Sequence, residues 1–187
     1  MTTVLQTPRL YLREPKLDDT EEITRYLRRN KIHIQAFEPK RPQEYYTQHY
    51  WRERIMAREK EAFDKKGCQL FIYTKDNPDT IVGYINFDNI IRGCFQSCTL
   101  GYALDFDNQE RGYMYEALKV SINYIFSTHN LHRIQANYIY TNTKSGNILE
   151  KLKFRKEGEA KKYLNINGEW QDHVLTSLIN IKYVDSI

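Results

Sequence analysis

The strongest limit on the fold of this chain comes from one short polar turn. It lies between a strand pattern and a helical pattern in the segment from Leu100 to Phe126. Asn108 and Gln109 form the turn, and the helix is predicted to begin near Gly112. The first N–H groups of a helix have no internal acceptors, and its N-terminus carries a partial positive charge. A phosphate group satisfies both, and Gly112 has no side chain to obstruct it. The segment therefore predicts a phosphate site on a strand–turn–helix unit.

The same turn argues against two common nucleotide-binding folds. No G-x-x-x-x-G-K-[ST] segment is present, which argues against a P-loop NTPase. No G-x-G-x-x-G segment is present either, which argues against a dinucleotide fold. A helix that simply begins after a turn, without any ligand, is the alternative interpretation of this pattern.

The remaining patterns follow the order β-α-α-β-β-β-α-β-α-β-β. Turn residues between alternating apolar runs predict an antiparallel meander in the middle of the chain. The predicted strands are Arg9–Arg13, Gln69–Thr74, Thr80–Asn89, Cys94–Asp105, Arg133–Tyr140, Phe154–Tyr163 and Trp170–Ile179. The predicted helices begin after Asp18, lie within Gln43–Lys65, and span Gly112–Ser127 and Lys144–Leu152, with a loop over His33–Pro42. We predict a single domain over residues 1–187, because no repeat or linker interrupts the pattern.

Charge and cysteine content exclude several classes of protein. The net charge of +4 favours an anionic ligand or residence near RNA, but it lies below that of a dedicated nucleic-acid binder. A solvated basic surface explains the charge equally well. Cys94 and Cys98 have no second Cys/His pair at the spacing of a zinc site, so we expect free thiols and no metal. The absence of an export signal and of a long apolar run predicts a cytoplasmic protein without a membrane span.

Two segments carry a resemblance to a known family. The segment Leu104–Met114 resembles motif A of the GNAT superfamily of N-acetyltransferases, Q/R-x-x-G-x-G/A, with Met114 in place of the last small residue. The segment Asn142–Phe154, followed by Glu157 and Gly158, is similar to the family's N-x-x-S…L-x-K-L-G-F…E-G pattern. The usual Gly of that pattern is Lys153 here.

Further segments resemble the RimJ/RimL branch, the ribosomal-protein-alanine N-acetyltransferases, with the RimJ type the closer match. These segments are Thr7–Leu10, Phe37–Pro39, Gly83–Phe87, Leu131–Ile134 and Asn167–Val174. The resemblance covers nearly the whole chain. It implies an α/β (α+β) acyl-CoA N-acyltransferase fold, with a mixed, mostly antiparallel sheet whose middle strands splay apart and whose faces carry helices.

The resemblance also implies where acetyl-CoA binds. The pantetheine arm lies between the strands Leu100–Asp105 and Arg133–Tyr140, beside the backbone of Leu104 and the side chain of Asn142. The pyrophosphate takes backbone amides of the turn. The turn residues are Gln109, Glu110, Arg111, Gly112, Tyr113 and Met114.

Acetyl transfer to an amine needs a base, a donor for the oxyanion and a proton for the departing thiolate. A backbone N–H at or next to Leu104 is the predicted oxyanion donor. Leu149 stands where many members of the family carry a proton-donating Tyr, so we predict Ser145, whose counterpart is the candidate in RimL-type enzymes. A helix-terminal Ser that bonds the local backbone is the alternative interpretation.

Glu38 is the predicted base, acting directly or through a water molecule from a Pro-flanked loop. Asp172 and His173 in the last strand are rival candidates, because an imidazole has a suitable pKa. A solvated loop carboxylate and a packed strand histidine are the corresponding structural interpretations.

The acceptor channel is predicted to be lined by Tyr84, Asn86 and Phe87, unless these are ordinary alternating strand residues. The expected acceptor is a protein N-terminus, with a ribosomal protein in the first place. Motif A does not separate this acceptor from a small amine such as a polyamine, an amino acid or an antibiotic. A ribosome- or RNA-associated protein that binds acetyl-CoA without catalysis is a third hypothesis, and both a monomer and a homodimer stay open.

Overall fold

The computed structural model describes residues 3–63 and 66–184, and these residues form one nine-stranded sheet flanked by five α-helices. The strands are β1 (Val4–Gln6), β2 (Leu10–Arg13), β3 (Cys68–Thr74), β4 (Asn77–Ile91), β5 (Ser97–Leu104), β6 (Arg133–Gln135), β7 (Tyr138–Ile139), β8 (Arg155–Ile166) and β9 (Glu169–Ile179). The helices are α1 (Thr20–Arg29), α2 (Lys31–Gln35), α3 (Gln48–Phe63), α4 (Tyr113–His129) and α5 (Thr143–Lys151). No helix in the described ranges is long and apolar enough to cross a membrane.

The sheet is mixed and mostly antiparallel, as the sequence predicted. Neighbouring strands follow the order β1-β2-β3-β4-β5-β6-β9; β7 pairs with the same edge of β9 as β6, and β8 pairs with the opposite edge. Strands β1 to β5 pair antiparallel. The parallel contact joins β5 to β6 and extends from Ser97 opposite Arg133 to Thr99 opposite Gln135.

Strand β3 lies between two hydrophobic cores, one on each face of the sheet. Every residue of β3 is buried, and successive side chains alternate between the two faces of the sheet. Leu70 and Ile72 pack into the cluster that contains buried residues of α4 and α5. Phe71 and Tyr73 pack into the cluster that contains buried residues of α1 and α3. Helices therefore cover both faces of the sheet.

Helix α4 forms because its apolar residues recur on one face. Ala117, Leu118, Ile122 and Ile125 are buried, as their helical spacing predicted. The helix ends at Asn130, which adopts a left-handed conformation with φ +43°. This burial fixes the start of α4 after the end of β5.

The sequence prediction missed strand β1 (Val4–Gln6) and was wrong in two further details. Part of the predicted loop over 33–42 is helical, because α2 spans Lys31–Gln35. This helix buries only Ile34, too little for a helical period to be visible. The predicted strand over 133–140 is divided into β6 and β7, because the Asn137 side chain accepts a hydrogen bond from the backbone N–H of Thr176 at 3.2 Å. A side chain there replaces a backbone acceptor of the ladder.

Candidate active site

A groove opens where β5 and β7 part, as the splayed-strand fold implied. It has a volume of about 1040 Å³. Residues 100–104 of β5 form one wall and residues 136–139 the other, and the first turns of α4 and α5 lie at its margin. The strands part just after the short parallel ladder of β5 and β6, which ends at Thr99 and Gln135.

The groove-facing edge of β5 offers backbone hydrogen-bonding groups. The N–H of Asp105 donates to Val82 of β4 at 2.7 Å. Successive peptide groups of a strand point to opposite edges, so the N–H of Leu104 points away from β4. The other side of β5 at this level is the groove. Leu104 therefore lines the groove, with its N–H directed into it.

The turn after β5 leaves a row of unused donors. Glu110 and Gly112 adopt positive φ angles of +62° and +76°, and Gly112 is the residue before the first turn of α4. The backbone N–H groups of residues 110 to 115 donate to no acceptor in the part of the chain that the structure describes. The N–H of Gln109 is engaged, because it donates to Phe106 at 3.4 Å. The row of free N–H groups therefore begins at Glu110, one residue later than the sequence predicted.

Most of the predicted turn residues line the groove. These are Gln109, Glu110, Gly112, Tyr113 and Met114. Arg111 is exposed and does not line it. The side chain of Met114 is 4% exposed and packs into the core cluster under α4, so this departure from the family pattern is accommodated in the interior.

A polar chain that the sequence analysis missed joins the turn to α2 and α5. Lys144 donates from Nζ to Gln109 Oε1 at 2.9 Å and to Glu110 Oε1 at 3.0 Å. Because Gln109 Oε1 accepts, its Nε2 is the donor to His33 Nε2, at 2.5 Å. Burial and the nearby Lys144 ammonium lower the pKa of His33, which agrees with a neutral ring at this position. These residues lie far apart in sequence and carry no local motif.

The hydroxyl of Ser145 is paired with that of Tyr102. Their oxygen atoms lie 2.7 Å apart, and both residues line the groove. Asn142 caps α5, since its Oδ1 accepts the N–H of Ser145 at 3.2 Å. The capping interpretation therefore belongs to Asn142 rather than to Ser145. Burial raises the pKa of Tyr102 to about 12, so its hydroxyl keeps its proton at neutral pH.

Glu38 also lines the groove, on the loop after α2. Its side chain is 19% exposed and contacts Arg41 at 3.3 Å. Burial raises the pKa of Glu38 above its usual value, despite the attraction of Arg41. The backbone oxygen of Glu38 accepts the N–H of Asn167 at 3.0 Å. Gln35 donates to Asn167 Oδ1 at 2.6 Å, so the tip of the β8–β9 hairpin holds this loop in place.

The two rival bases differ in position. Asp172 pairs with Lys161 at 2.8 Å and does not line the groove. Its hydrogen bond from Lys161 holds the pKa of Asp172 below its usual value. His173 is buried and lines the groove, and its Nδ1 lies 2.9 Å from the backbone oxygen of Gln171. A carbonyl only accepts, so Nδ1 of His173 is the donor in this contact.

The structure does not bring Tyr84, Asn86 and Phe87 to the groove. Tyr84 is buried against Tyr26 and Phe71, with ring centroids 6.1 and 6.3 Å apart. Phe87 is fully buried in the opposite core. Their strand, β4, is paired on both sides and is separated from the groove by β5. Their positions fit the alternative interpretation, alternating strand residues of the core, and lend no support to a role in the acceptor channel.

The described ranges contain no group of three or more His, Cys, Asp or Glu residues that could hold a metal ion. Cys68 and Cys98 are buried, Cys94 is exposed, and all three are free thiols. Burial raises the pKa of Cys68 and of Cys98 to about 12. None of the three lines the groove.

Known proteins resemble this chain over nearly its full length. Residues 9–155 match the Acetyltransferase (GNAT) domain family. The [ribosomal protein uS5]-alanine N-acetyltransferase of Escherichia coli (strain K12) is 40% identical over 177 residues, 93% of this chain and 89% of that protein. The crystal structure of ribosomal-protein-S5-alanine acetyltransferase from Vibrio fischeri superposes with a TM-score of 0.94 at 37% identity, over 98% of this chain and 100% of that chain.

A further solved structure is similar. Mycobacterium smegmatis RimJ in complex with CoA-disulfide superposes with a TM-score of 0.87 at 25% identity, over 99% of this chain and 90% of that chain. The parted strands and the turn of unused N–H groups agree with the resemblance to motif A. The chain therefore belongs to the GNAT family of acetyltransferases, in the RimJ/RimL branch of N-acetyltransferases.

Proposed function

We propose that this enzyme transfers the acetyl group of acetyl-CoA to the α-amino group of an N-terminal alanine of a ribosomal protein, with the counterpart of uS5 as the first candidate. The observation that carries the proposal is the match, at 40% identity over nearly the whole chain, to an enzyme named for this substrate. The reaction would take place in the cytoplasm, where ribosomal proteins are made.

The charges along the groove support a peptide terminus over a polyamine. Its lining carboxylates are Glu38 and Glu110, and each contacts a cation, Arg41 or Lys144. Lys151 and Lys153 also line the groove. Such a lining has no excess of negative charge to attract a polycation. A peptide that presents a single amine does not need an excess of negative charge in the groove.

The groove suits acetyl-CoA in each of its parts. The open N–H groups of residues 110 to 114, together with the side chain of Gln109, are the proposed partners of the pyrophosphate. Leu104 and Asn142 are the proposed partners of the pantetheine arm. The bound molecule supplies the acetyl group as a thioester, which a neutral amine attacks.

The side chains of the groove divide the remaining work. Glu38 accepts the proton of the amine, and its raised pKa makes it a better base than an ordinary carboxylate. The N–H of Leu104 donates to the oxyanion. Ser145 gives its proton to the departing sulfur and regains one from solvent, while Tyr102, whose hydroxyl oxygen lies 2.7 Å from that of Ser145, holds the Ser145 hydroxyl in place.

A panel of acceptors tests the proposed reaction. The enzyme and acetyl-CoA are incubated with peptides that begin with Ala, Ser or Met, with polyamines and with aminoglycosides, and products are analysed by mass spectrometry. We expect one acetyl group on the α-amine of the Ala peptide. The same peptide with a blocked N-terminus and a free internal Lys is the control. Acetylation of small amines alone would contradict the proposal, and silence across the panel would support the non-catalytic hypothesis.

Substitution of Gly112 tests the pyrophosphate turn. A ligand that binds only the folded state raises the melting temperature, so acetyl-CoA is expected to stabilise the wild type. Gly112→Val should weaken binding about tenfold or more, about 1.4 kcal/mol, because a β-branched residue disfavours φ +76°. Gly93→Val is the matched control, since Gly93 has φ +71° in a turn with nothing within 4 Å of a Cβ atom. Equal thermal shifts in the two variants would exclude this turn as the cofactor site.

Substitution of Glu38 tests the base. Ionised Glu38 is the active form, so its contribution to kcat/KM is lost as the pH falls through its raised pKa. Glu38→Gln should lower kcat about 10²-fold or more and remove that acid limb, leaving the pH dependence of the amine. His173→Asn keeps a donor toward Gln171 and should change kcat only slightly. A larger loss in the His173 variant would transfer the role to His173.

Substitution of the hydroxyl pair tests the proton donor. Ser145→Ala should lower kcat about 10- to 100-fold, while the Kd for CoA stays near that of the wild type. Tyr102→Phe should have a smaller effect of the same kind, because its hydroxyl acts through Ser145. Ser127→Ala removes an exposed hydroxyl of α4 and is the control. Unchanged kcat in the Ser145 variant would make our assignment wrong.

A further inference from the structure

We propose that Arg9 is a positioning residue for acetyl-CoA, which orients the backbone of the pyrophosphate turn without touching the cofactor. The inference rests on the proposed function of that turn. Arg9 belongs to the segment Thr7–Leu10, which contributed to the resemblance but lies outside the groove. It is far from the turn in sequence, 102 residues before Arg111 and 107 residues before Glu116, to which it donates hydrogen bonds.

Arg9 makes three contacts around the turn. Its Nη1 donates to the backbone oxygen of Arg111 at 2.9 Å. Its Nε donates to Glu116 Oε2 at 2.7 Å, in the first turn of α4. Its guanidinium also lies over the ring of Tyr113, 4.7 Å from the ring centroid. One side chain therefore links the residues that precede and follow Gly112.

The contact with Arg111 fixes the direction of the next N–H group. A trans peptide holds its C=O and N–H on opposite sides, and the described residues contain no cis peptide. The oxygen of the peptide between Arg111 and Gly112 points to Arg9, so the N–H of Gly112 points away from Arg9. Gly112 lines the groove and Arg9 does not. Arg9 therefore turns a pyrophosphate donor toward the groove.

Glu116 in its turn fixes the position of Arg9. Its Oε1 accepts the hydroxyl of Thr7 at 2.5 Å and the backbone N–H of Arg9 at 3.1 Å. The start of β2 and the start of α4 are thereby joined through one carboxylate. The side chain of Arg9 is 48% exposed, and an exposed ion pair contributes little to stability. The contacts are better explained by the geometry of the turn, which has positive φ angles at Glu110 and Gly112.

A comparison of two acetyl donors separates this role from general damage to the fold. Acetyl-CoA contains the pyrophosphate, whereas acetyl-pantetheine lacks it. Arg9→Met should raise the KM for acetyl-CoA about tenfold with little change in kcat, because one oriented phosphate donor is lost. The KM for acetyl-pantetheine should stay unchanged. Arg9→Lys keeps the charge but lacks the planar guanidinium that contacts both Arg111 and Glu116. Its KM for acetyl-CoA should therefore lie between those of the wild type and Arg9→Met.

Arg13→Met is the matched control. Arg13 is the last residue of β2 and makes two hydrogen bonds to Asp19, at 2.6 and 2.7 Å, so its ion-pair partner lies outside the pyrophosphate turn. This variant loses an ion pair of the same kind and should keep the KM for acetyl-CoA of the wild type. If Arg9→Met proves unstable, the conservative Arg9→Lys variant carries the comparison.

The outcomes separate the two proposals. A wild type that uses acetyl-CoA no better than acetyl-pantetheine would overturn the pyrophosphate turn itself, whatever Arg9 does. A wild type that prefers acetyl-CoA, with the same preference in Arg9→Met and Arg9→Lys, would overturn the role of Arg9 alone. A parallel rise in KM for both donors would also overturn it, because the effect would then be structural.

Discussion

The separation of β5 from β7 is the constraint on which the site depends. The parallel ladder between β5 and β6 ends at Thr99 and Gln135, and beyond it the facing backbone edges have no strand partner. Buried backbone polar groups require partners, so a gap inside a sheet needs a specific cause. At this level Asn137 separates β6 from β7, where its side chain accepts the N–H of Thr176 of β9. The gap then offers strand edges to a ligand rather than to another strand.

Two sets of interactions hold α5 beside the gap. The neutral ring of His33, the side chain of Gln109 and the ammonium of Lys144 join α2, the turn and α5. The hydroxyl of Tyr102 on β5 also pairs with that of Ser145 on α5. Gly146 allows α5 to lie close to β7, since a Cβ atom there would lie 2.9 Å from the side chain of Tyr138. Helix α5 is therefore held close to both walls of the groove, and Ser145 has little freedom to move.

Local patterns in the sequence predicted the turn, the start of α4 and its buried face, because these depend on neighbours in the chain. The pairing of Tyr102 with Ser145 was not predictable in this way, since 43 residues separate them. The prediction for β4 shows the same limit. Tyr84 and Phe87 lie three positions apart on one strand, so they face opposite sides of the sheet, and helices cover both. An alternating pattern identifies a strand but not which side chains meet a groove formed by other strands.

The β8–β9 hairpin joins a local signal to a distant consequence. Asn167 and Gly168 have φ angles of +49° and +93°, and Ile166 pairs with Glu169, which is the geometry of a two-residue type I′ turn. Asn-Gly favours this turn because both positions tolerate positive φ. The same Asn167 bonds the backbone of Glu38 and the side chain of Gln35. The residue that sets the register of the hairpin therefore also fixes the loop of the proposed base. An insertion at this tip would move Glu38 relative to Ser145, although neither residue belongs to the hairpin.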